Sequence, residues 1–372
     1  MKILIVTPFV PSYRTAGQNY TLQLIEDLAK DHRVDVAYFH YAADTPYTPP
    51  CGNVGVVFVR EISTAWKFLN VLKLPLTHPL FGCRFDLGLV RFLRRHRQEY
   101  DLLYFDFSQT FVYSLHVSHG CKILMVHDVI LQKYARGTGI VGALNRFLCS
   151  RSERRILGGS GGTILCFSDK DRGLLDEYYG LPSRKVDFFI HRNIRRIDYG
   201  NLAPSGAFLF FGAWERPENS FGLEWFVDHV MALTGKAHRF LILGSGIPES
   251  LRRKISRYPT MEMTGFVDDP YPVLAAAAGL IAPLFHGAGV KVKVLEALAC
   301  GTPVLGTDVA FEGIDPVGEG AGIHCRTQEE FLAGMARALS YSMEDKKALR
   351  EAFIGGYPKD TFREFLKCIT LP

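Results

Sequence analysis

Short β-branched or aromatic runs alternate with longer stretches of helical periodicity along this chain, and the alternation occurs twice. In the first half the runs KILIVT (2–7), VDVAYF (34–39), VGVVFV (54–59), LLYFD (102–106), KILMVH (122–127) and TILCFS (163–168) predict strands. Between the first two, TLQLIEDLAKD carries Leu22, Leu24, Ile25 and Leu28 at helical spacing. The pattern restarts with AFLFFG (207–212), RFLILG (239–244), MEMTGF (261–266), GLIAPL (279–284) and TPVLGT (302–307), with helical stretches such as LEWFVDHVMAL between them. Near-continuous apolar strands separated by helices belong to parallel sheets covered on both faces. The stretch RRIDYGNLAPSGAF (195–208), rich in Gly, Pro, Asn and Ser, separates the two series. The expected fold is therefore α/β: two Rossmann-like, doubly wound parallel-sheet domains facing a cleft, because ligands of such sheets sit beyond the carboxyl ends of the strands. The expected boundaries are 1–196, a linker at 197–206, 207–343, and C-terminal helices over 344–372 that could cross back to the first domain.

The composition of the 372 residues, 48% hydrophobic and 22% charged, allows a sizeable core and excludes a disordered or fibrous chain. The 43 basic and 38 acidic residues leave a formal charge of +5. That suits an anionic ligand or a membrane surface, and it is too weak and too evenly spread for a nucleic-acid binder. The opening MKILIVTPFV does not read as a secretory signal. The eight cysteines include no C-x-x-C pair, so they read as reduced residues of a cytoplasmic protein. The longest apolar stretch, VLAAAAGLIAPLF (273–285), contains a proline and falls short of the ~18 residues of a span. Segment 66–100 mixes apolar residues with Arg91, Arg94, Arg95 and Arg97. It reads either as a basic amphipathic surface resting on anionic lipid at the inner face of a membrane, or as a helical hairpin with its arginines in water.

The densest chemistry lies in FVDDPYPVLAAAAGLIAPLFHGAGVKVKVLEALACGTPVLGT (266–307). His286-Gly287-Ala288-Gly289 follows a strand and opens a helix. Glycines there admit a ligand to the backbone, and a helix start offers unpaired N–H groups that suit a phosphate. On the helical wheel Val290, Val294, Leu295 and Leu298 form one stripe, while Lys293 and Glu296 fall together opposite it with Gly289. A cation and a carboxylate beside such a loop could grip a diphosphate and a ribose hydroxyl; the plain alternative is an exposed ion pair. Lys291 falls in the first turn, where a cation opposes the helix dipole unless an anion is bound.

The run GFVDD…APLFHGAGVKVKVLEALACGTPVLGTDVAFEG resembles the C-terminal signature of retaining glycosyltransferases of the two-lobed GT-B architecture, the "glycosyl transferases group 1" type. Its K-x-L-E-A-L-A helix is similar to the exopolysaccharide and lipopolysaccharide branch. FFGAWERPENSFGLEWF, ILMVHDV, CFSDKDRGLLDEYYGLP and the glycine of the first loop extend the resemblance over most of the chain. The resemblance implies an acceptor-side first domain and a nucleotide-sugar-binding second one. It implies that Glu296 holds the donor ribose, that 287–290 wraps the donor phosphates and sugar, and that Lys293 is the lysine of K-x-L-E. Phe266 and Val267 would read the base through their backbone. His127, with Asp128 beside it, would orient the sugar near its reacting carbon, unless it is simply a strand-end histidine bonded to backbone. Gly17, next to Gln18, would admit the diphosphate, and Asn193 stands where the family has an asparagine–glycine pair. Gly212 and Arg216 fall in the loop that carries the family's phosphate-binding arginine and lysine.

The sequence departs from that pattern twice. Ala288 occupies the position of the first glutamate of E-x7-E, and FFGAWERPENS offers Arg216 with no lysine nearby. No residue pattern calls for a metal or other cofactor; Asp268-Asp269 before Pro270 reads as a loop or helix cap. The expectation is a metal-independent, configuration-retaining transfer from a nucleotide-diphosphate sugar to a glycan or lipid-linked acceptor, in cell-surface polysaccharide synthesis. A helix N-terminus with Lys293, Lys291 and Arg216 would stabilise the departing diphosphate. A nucleotide-sugar 2-epimerase and a non-catalytic two-lobed sugar-binding module are the alternatives.

Overall fold

The computed structural model describes all residues except 75, 136–138, 236, 315–320, 359–360 and 370–372. The chain divides into two compact units, Met1–Phe189 with Asp360–Pro372, and Ile190–Lys359. In the first unit the strands are β1 (Lys2–Thr7), β2 (Arg33–His40), β3 (Val54–Glu61), β4 (Leu102–Asp106), β5 (Lys122–Val126), β6 (Thr163–Cys166) and β7 (Ser183–Lys185). They form one parallel sheet in the order β3-β2-β1-β4-β5-β6-β7. The second unit contains β8 (Phe208–Phe211), β9 (Phe240–Leu243), β10 (Met261–Gly265), β11 (Gly279–Ala282), β12 (Val304–Gly306) and β13 (Gly322–His324). Their order is β10-β9-β8-β11-β12-β13, again parallel throughout. Central strands such as β1 and β5 are buried on both faces, as their unbroken apolar sequence requires.

Both orders reverse once: between β1 and β4 in the first sheet, and between β8 and β11 in the second. At such a switch point the two following loops diverge to opposite faces and leave a crevice. The loops after β1 and β4, and those after β8 and β11, are thus where each fold places ligand chemistry.

The division falls after Phe189, ahead of the expected linker. Segment 190–206 is tied to the second unit: Tyr199 donates to the Cys300 carbonyl, Asn193 Nδ2 to Asp269 at 3.1 Å, and Ser205 N to the Ala276 carbonyl at 2.9 Å. The helix Met343–Gly356 also stays there, its buried Lys346 donating to the carbonyls of Ala275 and Ala277. The helix Phe362–Lys367 belongs to the first unit, where Phe362 packs edge-on against Tyr104 at 5.1 Å. All eight cysteines are unpaired, five of them buried. Among the described residues no helix is long and apolar enough to cross a membrane.

Candidate functional site

In the first unit, His127 follows β5 at the carboxyl end of the sheet. Among the described residues it has no backbone hydrogen-bond partner. Its Nε2 lies 2.8 Å from Asp106 Oδ1, at the end of β4, and Thr21 Oγ1 donates to the other oxygen of that fully buried carboxylate. Phe107 covers the imidazole face to face, with ring centroids 3.5 Å apart, while Tyr20 and Phe167 meet it edge-on. Phe107 has φ 62°, a left-handed conformation costly for a bulky residue and often found where a site over-determines the backbone. Gly17 makes the stack possible, since a Cβ there would lie 2.5 Å from Phe107 Cζ. Gln18 braces the preceding loop by donating to the Val10 carbonyl at 2.9 Å. Asp128 is half-buried next to His127.

In the second unit the helix behind the glycine corner runs over Val292–Ala299, two residues later than its sequence pattern implies. Gly287 and Gly289 have φ of 131° and 68°, which holds 287–291 as a loop. Lys291 is therefore the N-cap residue and not a first-turn cation. It folds back over the corner, Nζ donating to the Gly289 carbonyl at 2.7 Å, with Glu312 at 3.8 Å. Ala288 and Val290 are half-buried beside it, whereas His286 is exposed and rests against Phe221.

Lys293 and Glu296 do not form a solvated polar face. Residues Val294–Ala299 are all buried, Glu296 being only 7% exposed, and Lys293 is half-buried. Among the described residues no ion pair joins the two. Lys293 Nζ instead donates to Asn219 Oδ1 at 2.8 Å, and Asn219 is oriented by donating to the Ala213 carbonyl at 2.9 Å. Glu296 accepts from the Tyr271 hydroxyl at 2.9 Å. Desolvation pulls the Lys293 ammonium down to about 7, against Glu218, which raises it, and with Lys291 and Arg216, which lower it further. Desolvation pushes the Glu296 carboxyl up to about 7, with the Tyr271 hydrogen bond opposing. Both groups thus sit near their titration midpoints at neutral pH, a poise typical of ligand sites.

Gly212, just after β8, completes the same corner: a Cβ there would meet the Asn219 side chain at 3.1 Å and Lys293 Nζ at 3.5 Å. The switch-point crevice of the second sheet therefore brings together Gly212, Lys293, Lys291, the 287–290 corner and the field of the exposed Arg216, while Glu296, on the same helix, is held by Tyr271. Phe266, 67% exposed, and the half-buried Val267 follow β10, two strands away from β8. Asp269 caps Tyr271 N at 3.3 Å, as the loop-or-cap reading of Asp268-Asp269 expects, and also holds Asn193. Asp106, Phe107, Thr21, Asn219, Tyr271 and Glu312 escaped the sequence reading. Only Asn219 and Tyr271 carried a usable signal, each standing just behind a proline that opens a helix. Among the described residues no cluster of three or more His, Cys, Asp or Glu is arranged to hold a metal ion.

Residues 205–341 match the family model of glycosyl transferases group 1. The second unit carries a group 1 glycosyltransferase domain. No curated protein matches the chain. Among solved structures, the chain is similar to WaaG, a glycosyltransferase involved in lipopolysaccharide biosynthesis, with 16% identity, 98% of each chain covered and a TM-score of 0.67. It is also similar to HepE of Anabaena, solved with UDP and glucose (14% identity, 99% of this chain and 100% of HepE, TM-score 0.67). Sucrose-phosphate synthase from Thermosynechococcus elongatus aligns at 17% identity over 95% of this chain and 94% of its own, with a TM-score of 0.67. Likeness at this identity is a likeness of fold, and the fold is GT-B: two parallel-sheet α/β units, as the strand pattern predicts.

Proposed function

We propose that the enzyme transfers a sugar from a nucleotide-diphosphate donor to a glycan or lipid-linked acceptor in cell-surface polysaccharide synthesis, without a metal and with retention of configuration. The observation that carries this reading is the pairing of Lys293 and Glu296 with neutral partners, Asn219 and Tyr271, behind the glycine corner. Each charge is desolvated and, among the described residues, has no ion-pair partner, so a diphosphate and a ribose hydroxyl would meet groups held by neutral partners and stripped of water. Departure of the diphosphate builds negative charge, which Lys293 and Arg216 would stabilise while Lys291 holds the corner in shape. His127, clamped by Asp106 and Phe107, would orient the donor sugar. The acceptor hydroxyl then attacks from the face the diphosphate leaves, and a donor phosphate oxygen takes its proton. HepE is described with UDP and glucose and WaaG with lipopolysaccharide synthesis, which favours this reading over the epimerase and the binding module.

Thermal-shift titration with UDP, GDP, dTDP and CMP tests it. One nucleotide should raise the melting temperature by mass action, and Lys293→Ala and Glu296→Ala should each remove that shift while the far-UV spectrum is unchanged. If no nucleotide stabilises the wild type, or both variants respond as it does, the assignment fails.

For the membrane, the apolar and basic parts of 66–100 lie on different helices. Phe68, Leu69 and Leu72 are exposed on Thr64–Lys73, whereas Arg91, Arg94 and Arg95 are on Leu87–His96, with Arg94 donating to the His116 carbonyl. Exposed Ile140, Val141, Leu144 and Phe147 add a second apolar surface in the same unit. A peripheral, inner-face location is the reading these surfaces favour. Co-sedimentation with anionic vesicles tests it, and equal recovery of wild type and Phe68→Ser/Leu72→Ser would count against it.

A further inference from the structure

The first unit contains a groove of about 400 Å³ that the donor chemistry does not use. Its wall is apolar where Phe68 and Val71 face it and polar at Thr64 and Gln109; its charged lining residues are Lys67 and Arg84, with no carboxylate among them. Arg84 is only 7% exposed. Among the described residues its Nε has no hydrogen-bond partner, and Nη1 reaches only the Cys83 sulfur at 3.9 Å. The carboxylate nearest in sequence, Asp86, is taken by Arg60 at 2.7 Å and by Leu89 N at 3.1 Å. Lys67 likewise has a neutral partner, the Tyr41 hydroxyl at 2.8 Å.

A buried guanidinium without a carboxylate is costly, and the Phe9 ring 4.8 Å away offsets only part of that cost. A fork of free N–H donors in a cationic groove is a fit for a phosphate or carboxylate. The groove also has an address. Phe9 meets Phe107 edge-on at 5.4 Å, and Phe107 is the ring stacked on His127. The anion site is thus joined through two aromatic rings to the histidine placed near the reacting sugar.

We propose that this groove binds the acceptor through an anionic group, a phosphate or carboxylate seated on Arg84, with an adjoining apolar portion lying along Phe68 and Val71. Calling the ligand the acceptor rests on the transfer reading above; the anion site itself does not. The test is calorimetric titration of the full chain with n-hexyl phosphate, n-hexanol and inorganic phosphate. Hexyl phosphate should bind saturably and at least about tenfold more tightly than either of the others. Arg84→Gln should weaken it by at least about tenfold, and Lys67→Gln, at a half-buried position, by a smaller factor. Nucleotide-induced stabilisation should persist in both variants, which separates failure of this site from failure of the donor site. Equal affinity of hexyl phosphate for wild type and both variants would overturn the proposal. So would equal affinity for inorganic and hexyl phosphate, the mark of a free-phosphate site.

Discussion

At the scale of single residues, the two half-titrated groups behind the glycine corner make opposite demands on protons. The folded-state pKa of Glu296 lies above its unfolded value, so its contribution to stability is complete below about 4.5 and is lost as pH rises through about 7. That of Lys293 lies below its unfolded value, so its contribution is complete above about 10.5 and is lost as pH falls through about 7. A diphosphate favours charged Lys293, and a ribose hydroxyl that donates favours charged Glu296. Nucleotide binding should therefore take up close to one proton at about pH 8 and release one at about pH 6. Calorimetry in buffers of different ionisation enthalpy reads this directly. Lys293→Met should remove the uptake and Glu296→Gln the release; the same sign at both pH values would refute the pairing of roles. Gly17 makes a second demand. Alanine in a helix normally gains up to about 1 kcal/mol over glycine. Here its Cβ meets Phe107 at 2.5 Å, so Gly17→Ala should lower the melting temperature and reduce transfer.

At the scale of elements, one buried carboxylate ties three helices of the first unit together. Glu153, on Gly139–Gly159, accepts from Ile130 N at 3.0 Å, Leu131 N at 3.1 Å and the Tyr179 hydroxyl at 2.6 Å. Glu153→Leu leaves those donors buried without acceptors and should cost about 2–4 kcal/mol, read from urea denaturation; an unchanged midpoint would show the network to be idle. The strands themselves were legible wherever burial on both faces demanded an apolar run. Those that escaped, SRK of β7 and GIH of β13, are three-residue edge strands with polar positions and no run to see. The helix Val292–Ala299 begins late because Lys291, at φ −84° and ψ 85°, is outside the helical region although the periodicity continues through 290–291. The candidate site shows in the sequence through its glycines and charges but not through the partners that hold them. Lys293 finds Asn219 from 74 residues away, Glu296 finds Tyr271 from 25, and His127 finds Asp106 from 21. Only the strand order brings those segments together, and no local pattern encodes it.

At the scale of the whole molecule, the route of the chain separates stability from chemistry in a way that can be measured. Phe362 is 1% exposed and packs on Tyr104, the central strand residue of β4, while Arg363 pairs with Asp27 at 3.5 Å. Residues near the carboxyl end thus complete the unit that holds His127 and the Arg84 groove. The glycine corner lies wholly in the other unit, with β8, β11 and the helix behind them. Truncating a buried phenylalanine costs about 3–5 kcal/mol. Phe362→Ala should therefore speed amide exchange across β1, β4 and β5 and leave β8, β9 and β11 near wild-type rates. Bound nucleotide should do the complementary thing, slowing exchange around 212–219 and 287–299 first. Peptide-resolved hydrogen exchange on the intact protein follows both effects in one experiment. Acceleration spread evenly over both sheets in Phe362→Ala would contradict the assignment of the last helix to the first unit, because a lost contact loosens first the sheet that it covers.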